Sequence, residues 1–320
     1  MSKRLIAFLD QGTIPKHIQW PDPSFDHTWQ SHDITAPEQR VERLKDVRIA
    51  ITNKVVLDRA VLTQCPQLEL IQVAATGANN VDLDACRELG IKVANVKGYA
   101  RHAVAEWVIG NLLSLAWSLG HYRDDQRSGA WAESETFSLR TAPIREIRKM
   151  RVGILGKGDI GKGVARRLEA FGTDIVFLER PGTTPARAGY LPFDTALPQL
   201  DALVLTCPLT SGNAEFVDRA LLQRMKPGAF LLNPSRGGLI NEADLADVIK
   251  QQHLGGVALD VVSAEPISTD NPLFAVRDSD NLILTPHIGW SSDEALTELM
   301  RSLVDNLNRF AAGETAHCLV

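Results

Sequence analysis

The chain has 320 residues, of which 44% are hydrophobic and 23% are charged, and its formal net charge at pH 7 is -5. This length favours two domains over one. The weakly acidic charge and the lack of a dense run of Lys and Arg exclude a general electrostatic attraction to nucleic acid. We therefore expect a protein that acts on small molecules.

Four cysteines occur without a CxxC motif or a Cys/His cluster: Cys65, Cys86, Cys207 and Cys318. This pattern predicts reduced thiols in a cytoplasmic protein and no metal site. Asp10 interrupts the apolar run near the N-terminus, which favours a first β-strand over a signal peptide. The most apolar segment, 107–119, is too short to span a bilayer, so we expect no membrane partner.

The first hundred residues alternate between short apolar runs rich in Ile and Val and polar segments with helical spacing. The strand-like runs are RLIAFLD, RIAITN, LELIQVAAT and IKVANV, and the helix-like segments are APEQRVERLKD, VLDRAVLTQCP and DLDACRELG. The last of these segments ends at Gly90, a typical helix stop. Such alternation predicts parallel strands joined by crossover helices.

The stretch 151–172, RVGILGKGDIGKGVARRLEAFG, has the pattern of a strand, a glycine turn and a helix. The apolar residues of the predicted helix recur at helical spacing: Ile160, Val164, Leu168 and Phe171. Gly156, Gly158 and Gly161 would allow a pyrophosphate to approach the helix N-terminus. The next strand leads to Glu179, an acid suited to ribose hydroxyls. We interpret this stretch as a dinucleotide site; the alternative is a glycine-rich turn in an ordinary βαβ unit.

Two segments before the glycine turn indicate an interface. Residues 101–122 predict one long helix that is apolar on nearly every face, and such a helix must be covered on all sides. It either lies between two domains or packs against a second subunit. The polar, irregular stretch 124–150 is long for a loop within one domain, and a partner subunit is the natural candidate for what it reaches.

After the glycine turn, further apolar runs predict a second doubly wound sheet: DIVFLE, DALVLTC, AFLLNPS, GGVALDVV and NLILTPH. VDRALLQRMKPG and NEADLADVIKQQH read as helices between them. The final stretch 291–313 opens with capping residues and continues as an amphipathic helix. Because it follows the last strand of the second sheet, we expect it to return to the first domain.

Candidate chemical groups follow the predicted strands, where ligands gather in open α/β sheets. Ala75, Thr76 and Gly77 follow one strand and form either a backbone nest for a carboxylate or a simple turn. Arg236 follows another strand and precedes two glycines that uncover its guanidinium for a planar anion. Glu265 and His287 follow the next two strands.

These groups together suggest hydride transfer between a nicotinamide cofactor and a 2-oxo acid. A carboxylate beside an imidazole favours its protonated form, so His287 would protonate the carbonyl oxygen as a general acid, oriented by Glu265. Arg236 would bind the substrate carboxylate and polarise the carbonyl. The amides of Thr76 and Gly77 would take the other end of that carboxylate.

At these residues the sequence resembles the D-isomer-specific 2-hydroxyacid dehydrogenases over nearly the whole chain. The matching motifs are AATGANNVDLDACRELGIKVANV, the glycine turn, TCPLTSGN, NPSRGGLINEADL, ALDVVSAEP and PHIGW. The resemblance implies a Rossmann NAD-binding domain (101–289) inserted into a flavodoxin-like substrate domain (1–100 plus 290–320). It also implies an active site in the cleft and a homodimer built on the long helix and loop at 101–150.

The resemblance places Arg236, Glu265 and His287 on catalytic positions, and Asp260 near the nicotinamide carboxamide. It implies cofactor contacts at Gly156, Gly158, Asp159, Ile160, Gly161, Glu179, Arg180, Thr206, Cys207, Pro208, Asn213, Pro234, Ser235, Asp260 and Gly289. Thr206 replaces a His that is common in the family. Asp159 adds a negative side chain that must point away from the phosphates. Glu179 favours NAD because a carboxylate repels a 2'-phosphate, whereas Arg180 and Arg187 leave NADP open.

Within the family the chain is most similar to glycerate dehydrogenases, also called hydroxypyruvate reductases. The motif AATGANNVDL and Trp290, after the catalytic His, carry this similarity, and Trp290 is either a substrate contact or a packing residue. Hydroxypyruvate or glyoxylate is therefore the expected substrate. The alternatives are a D-lactate-type reductase and a nucleotide-sensing protein like the co-repressors that share this fold.

Overall fold

The computed structural model describes residues 3–314 and 318–320. The chain separates into two compact units, Met1–Ala100 with Ser291–Val320, and Arg101–Trp290. The strands are β1 (Arg4–Phe8), β2 (His27–Ser31), β3 (Ile49–Thr52), β4 (Leu70–Val73), β5 (Lys92–Ala94), β6 (Arg151–Leu155), β7 (Asp174–Leu178), β8 (Ala202–Leu205), β9 (Phe230–Asn233), β10 (Gly256–Leu259) and β11 (Leu282–Leu284). The α-helices are α1 (Arg40–Leu44), α2 (Arg59–Leu62), α3 (Leu83–Leu89), α4 (Arg101–Ala116), α5 (Leu119–Ser128), α6 (Asp159–Ala170), α7 (Phe193–Ala196), α8 (Arg219–Arg224), α9 (Glu242–Lys250) and α10 (Asp293–Ala311).

The first unit contains a parallel sheet of five strands in the order β2-β1-β3-β4-β5. This is the flavodoxin-like order, as predicted. The four predicted strands are present, but β2 was not predicted, because this edge strand, HTWQS, has no buried residue and no apolar run. Helix α10 belongs to this unit and begins where Ser292 accepts a hydrogen bond from the backbone N–H of Ala295.

The second unit contains six parallel strands in the order β11-β10-β9-β8-β6-β7. A single parallel bridge joins Leu178, at the end of β7, to Leu191, where a Rossmann sheet has its outer strand. The strand order reverses at β6, so the glycine turn that follows β6 lies at the switch point where such sheets bind nucleotides. The predicted fold class, two doubly wound parallel sheets, is confirmed.

The core of the second unit lies on both faces of its sheet. Leu203, Leu231 and Val257 contribute to one buried cluster, while the alternate residues of the same strands contribute to the other. Because successive strand residues point to opposite faces, both faces are buried. Helix α4 packs on one of these faces beside α6, which buries Val108 and Leu112 completely.

The structure corrects two details of the predicted helices. The long helix is broken, because Ser118 adopts a left-handed backbone with φ 50° and α5 diverges from α4 by 57°. Phe171 lies just beyond α6 and is exposed, whereas Val164 and Leu168 are fully buried. In the described part of the chain no single helix is long and apolar enough to cross a membrane; only α4 and α5 taken together meet that test, by length and composition alone.

Candidate active site

Three adjacent strands of the second unit deliver the predicted catalytic residues to one edge of the sheet. In the register of β9, β10 and β11, Asn233 pairs with Leu259 and Leu259 pairs with Leu284, so the strands end together. The loops that carry Arg236, Glu265 and His287 start from these ends. The topology therefore places the three loops beside one another.

Glu265 and His287 are joined by a hydrogen bond. Nδ1 of His287 lies 2.7 Å from Oε2 of Glu265. The other carboxylate oxygen, Oε1, accepts a hydrogen bond from the backbone N–H of Val262 at 3.2 Å. Because the partner of Nδ1 is a carboxylate, Nδ1 carries a proton, and Nε2 is the nitrogen that can exchange a proton with a bound molecule.

The backbone of His287 adopts the left-handed conformation, with φ 54°. Such a backbone is uncommon outside glycine and costs on the order of 1–2 kcal/mol, so neighbouring contacts must hold it. Asp260 supplies them: its Oδ1 accepts from the N–H of Ile288 at 2.8 Å and its Oδ2 from the N–H of Gly289 at 2.7 Å. The carboxylate of Asp260 therefore fixes the backbone that immediately follows His287.

Asp260 is 2% exposed and belongs to a short polar chain. Trp107 Nε1 donates to Thr285 Oγ1 at 3.0 Å, and Thr285 Oγ1 donates to Asp260 Oδ1 at 2.6 Å. Burial raises the pKa of Asp260, and the three donors around the carboxylate oppose that rise. Sequence reasoning missed Trp107 and Thr285; the only available signal was the position of Thr285 two residues before His287.

Arg236 lies in a loop that presses against the Glu265 loop. A Cβ atom on Gly237 would lie 1.9 Å from the carbonyl carbon of Val262, so this close approach requires glycine. The half-buried guanidinium of Arg236 donates through Nη1 to the carbonyl of Ser235 at 2.7 Å. Five N–H donors in a planar fork leave it able to bind a carboxylate.

The glycine turn fits a dinucleotide. Helix α6 begins at Asp159 directly after Gly158, and both residues are exposed. A Cβ atom on Gly161 would lie 2.0 Å from the carbonyl oxygen of Gly156, so only glycine lets the helix start this close to β6. The N–H groups of the first turn of α6 can then donate hydrogen bonds to a pyrophosphate.

Comparison with known proteins identifies the family. Residues 109–289, more than half of the chain, match the family described as D-isomer specific 2-hydroxyacid dehydrogenase, NAD binding domain. The chain belongs to the D-isomer-specific 2-hydroxyacid dehydrogenases. It is therefore an oxidoreductase with an NAD-binding domain.

Similar proteins span almost the whole of this dehydrogenase. A protein assigned to the 2-hydroxyacid dehydrogenases in Haemophilus influenzae is 47% identical over 95% of this chain and 97% of its own. Glycerate dehydrogenase of Methylorubrum extorquens is 36% identical over 98% of both chains, and hydroxypyruvate reductase of Blautia hydrogenotrophica is 34% identical over 88% of this chain and 87% of its own. The crystal structure of the TT0316 protein of Thermus thermophilus superposes with a TM-score of 0.84 at 26% identity, covering 99% of this chain and 100% of that one.

Other predicted cofactor residues of the dehydrogenase shape the loops after β8 and β9. Thr206 Oγ1 donates to the carbonyl of Gly156 at 2.8 Å, and Ser235 Oγ donates to the carbonyl of Leu205 at 2.6 Å. The remaining residues of this set lie in the same two loops: Cys207, Pro208, Asn213 and Pro234. The Asn213 amide donates to the carbonyl of Pro208 at 2.9 Å and accepts from the backbone of Thr210, and burial raises the pKa of Cys207 to about 11.

Glu179 lies at the end of β7, as predicted, but its carboxylate already has partners. Arg187 contacts both of its oxygens, with Nε 2.6 Å from Oε2 and Nη2 2.9 Å from Oε1. These hydrogen bonds are the main reason why the pKa of Glu179 falls to about 2. Arg180, the next residue, is exposed and donates its backbone N–H to Oε1.

The predicted substrate residues divide between the two units. Trp290 closes the second unit and is half-buried. Ala75, Thr76 and Gly77 follow β4 of the first unit, where the Thr76 hydroxyl donates to the carbonyl of Val96 at 2.9 Å. The predicted catalytic and cofactor residues thus all belong to the second unit, whereas the loop 75–77 belongs to the first.

Proposed function

We propose that this dehydrogenase catalyses the NAD(H)-dependent reduction of hydroxypyruvate or glyoxylate to D-glycerate or glycolate. The observation that supports the chemistry best is the contact of 2.7 Å between Nδ1 of His287 and Oε2 of Glu265. It assigns the imidazole one fixed orientation and leaves Nε2 for the substrate. The choice of substrate rests on the relatives, which include a glycerate dehydrogenase and a hydroxypyruvate reductase.

Each catalytic side chain has one role in this proposal. The reduced nicotinamide supplies the hydride for the carbonyl carbon. His287 donates a proton from Nε2 to the carbonyl oxygen and accepts one in the reverse direction. Glu265 keeps Nδ1 protonated and the ring in place, and Arg236 binds the substrate carboxylate and polarises the carbonyl.

The second unit is proposed to bind the dinucleotide and the first unit to contribute to substrate binding. Glycine residues 156, 158 and 161 with the N–H groups of Asp159 and Ile160 are proposed to bind the pyrophosphate. For the substrate we propose the backbone of 75–77 and Trp290. Asp260 and Gly289 remain proposed neighbours of the nicotinamide carboxamide.

We propose that the enzyme is a homodimer that uses the loop 129–146. Phe137 is 94% exposed and Trp131 is also exposed, although both are large apolar residues. Trp131 Nε1 donates to the carbonyl of Phe137 at 3.0 Å, so the two side chains belong to one ordered turn. Exposed aromatic residues held in this way are typical of protein interfaces.

Steady-state reduction by NADH of hydroxypyruvate, glyoxylate, pyruvate and 2-oxoisocaproate tests the substrate proposal. We expect the highest kcat/KM with hydroxypyruvate or glyoxylate, since the relatives of this chain include a glycerate dehydrogenase and a hydroxypyruvate reductase. A higher kcat/KM with pyruvate or 2-oxoisocaproate would refute the proposal and leave the family assignment intact.

A histidine variant tests the mechanism. His287→Asn is expected to lower kcat by about 10² to 10⁴-fold, the usual contribution of a general acid, with little change in the Kd for NADH. His17→Asn is a matched control, because His17 also pairs with a carboxylate, Asp293, at 3.0 Å but lies in the first unit and is exposed. Full activity of the His287 variant would exclude its role as the acid.

A further inference from the structure

The carboxylate of Glu179 is saturated with hydrogen bonds. Glu179 is 1% exposed. Its Oε1 accepts from the N–H of Arg180 at 2.9 Å and from Nη2 of Arg187 at 2.9 Å, and its Oε2 accepts from the N–H of Arg187 at 3.2 Å and from Nε at 2.6 Å. A carboxylate has about four lone-pair sites, so no acceptor site is left for ribose hydroxyls.

With these hydrogen bonds in place, Glu179 cannot select NAD in the way that an acid at this position usually does. Selection requires free acceptor sites for the ribose hydroxyls and a negative charge that repels a 2'-phosphate. In Glu179 the acceptor sites are used and the guanidinium of Arg187 compensates the charge at hydrogen-bond distance. The acid alone therefore does not set the cofactor preference.

Arg187 also presents a positive surface. Its side chain is 58% exposed although it pairs with a buried acid. The guanidinium carbon lies 4.4 Å from the ring centre of Tyr190, and Nζ of Lys157, from the glycine turn, lies 5.1 Å from the same ring. Tyr190 thus orients two cations, one from the glycine turn and one from the loop after β7.

We propose that Arg187 sets the cofactor selectivity of this dehydrogenase and that the enzyme binds NADPH as well as NADH. The guanidinium neutralises Glu179 and supplies N–H donors for the 2'-phosphate, and Lys157, which contacts the same Tyr190 ring as Arg187, adds positive charge nearby. For NADH, Arg187 has to release part of the carboxylate, which its exposed position allows. This inference rests on the proposed dinucleotide site.

Binding measurements test the inference without turnover. The Kd values for NADPH and NADH are measured by nicotinamide fluorescence on the wild-type protein and on Arg187→Met, which keeps an aliphatic side chain over Tyr190. We expect the two wild-type Kd values to agree within about tenfold. In the variant the Kd for NADPH should rise by about 10 to 100-fold, as for the loss of a charge-assisted hydrogen bond, while the Kd for NADH stays equal or falls.

Two further variants keep the test decisive. Arg219→Met is the matched control, because Arg219 pairs with Asp247 at 2.6 Å in the same unit and should leave both Kd values unchanged. The double variant Glu179→Gln with Arg187→Met buries no unpaired charge, and it is expected to lose NADPH affinity as the single variant does, even if the single variant folds poorly.

The outcomes separate this inference from the proposed function. A wild-type Kd for NADPH more than about 100-fold above that for NADH, or an equal loss of both cofactors in the Arg187 and double variants, overturns the role of Arg187. Turnover of hydroxypyruvate with NADH would still support the proposed function in that case. Tight binding of both cofactors without turnover of any of the four 2-oxo acids would support Arg187 and refute the proposed function.

Discussion

Replacing Asp260 by Asn should disable the active site through the backbone of His287. The amide oxygen can accept from Thr285 and Ile288, but the amide nitrogen would then face the N–H of Gly289, now 2.7 Å from Oδ2. One buried N–H loses its acceptor, which costs about 1–3 kcal/mol, and two charge-assisted bonds become neutral, at about 1 kcal/mol each. The relief of a buried charge offsets part of this, so we expect a net loss of about 2–4 kcal/mol.

Two measurements check this expectation. The Tm should fall by on the order of 10 °C, since about 2–4 °C per kcal/mol is usual for units of this size. A loosened left-handed backbone at His287 should lower kcat by about 10²-fold, as small misplacements do. If Asp260 acts mainly as an anchor, the Kd for NADH changes little; if it is mainly a cofactor contact, that Kd rises along with the loss of kcat.

Asp201→Asn is the control for this variant. Asp201 is also buried and accepts hydrogen bonds from the N–H of Arg151 at 2.9 Å and from Nζ of Lys226 at 2.7 Å, but it lies at the opposite end of the sheet, before β8. Its variant should lose stability and keep its kcat. An Asp260→Asn protein with unchanged Tm and unchanged kcat would refute the reasoning.

Three further outcomes are expected. Glu265→Gln should lower kcat, because a neutral amide holds the ring of His287 less firmly than the carboxylate that now lies 2.7 Å from Nδ1; an unchanged kcat would mean that Glu265 does not position His287. The pKa of Glu179 is lowered from 4.5 to about 2, so its contribution to stability is present above about pH 4.5 and is lost as the pH falls through about 2. The difference in the free energy of unfolding between wild type and Arg187→Met, measured by urea unfolding, should therefore become smaller as the pH falls over that range. Light scattering of a double Ser variant of Trp131 and Phe137 should report monomers, and an unchanged dimer would place the interface elsewhere.

Much of the fold could be predicted because the signals are local. Apolar runs bounded by turns identified β1, β3 and β4, and the glycine turn identified the start of α6. The break after α4 could not be predicted, since residues 117–118 carry neither Gly nor Pro and the left-handed Ser118 is fixed by its surroundings. Phe171 matched the helical period, yet the helix ends one residue before it.

The sequence likewise predicts some residues of the candidate site but not the contacts between them. Arg236, Glu265 and His287 could be proposed as site residues because ligands bind at the carboxyl ends of the strands in open α/β sheets, and this rule requires only that the strands are recognised. The pairing of Glu179 with Arg187 could not be predicted, because the two residues are eight positions apart and the place that the Arg187 side chain reaches depends on the exact path of the loop between them. The contacts of Asp260 likewise depend on β10 and β11 being neighbours in register, which no single stretch of sequence reveals.

The contact between Gly237 and Val262 has a mechanical consequence. Because Gly237 has no side chain, the backbones of the two loops are in direct contact, and a shift of one loop would displace the other. Val262 holds Glu265 through its backbone N–H. A change in the position of the Arg236 loop would therefore bear on the backbone that holds Glu265, and through Glu265 on the ring of His287.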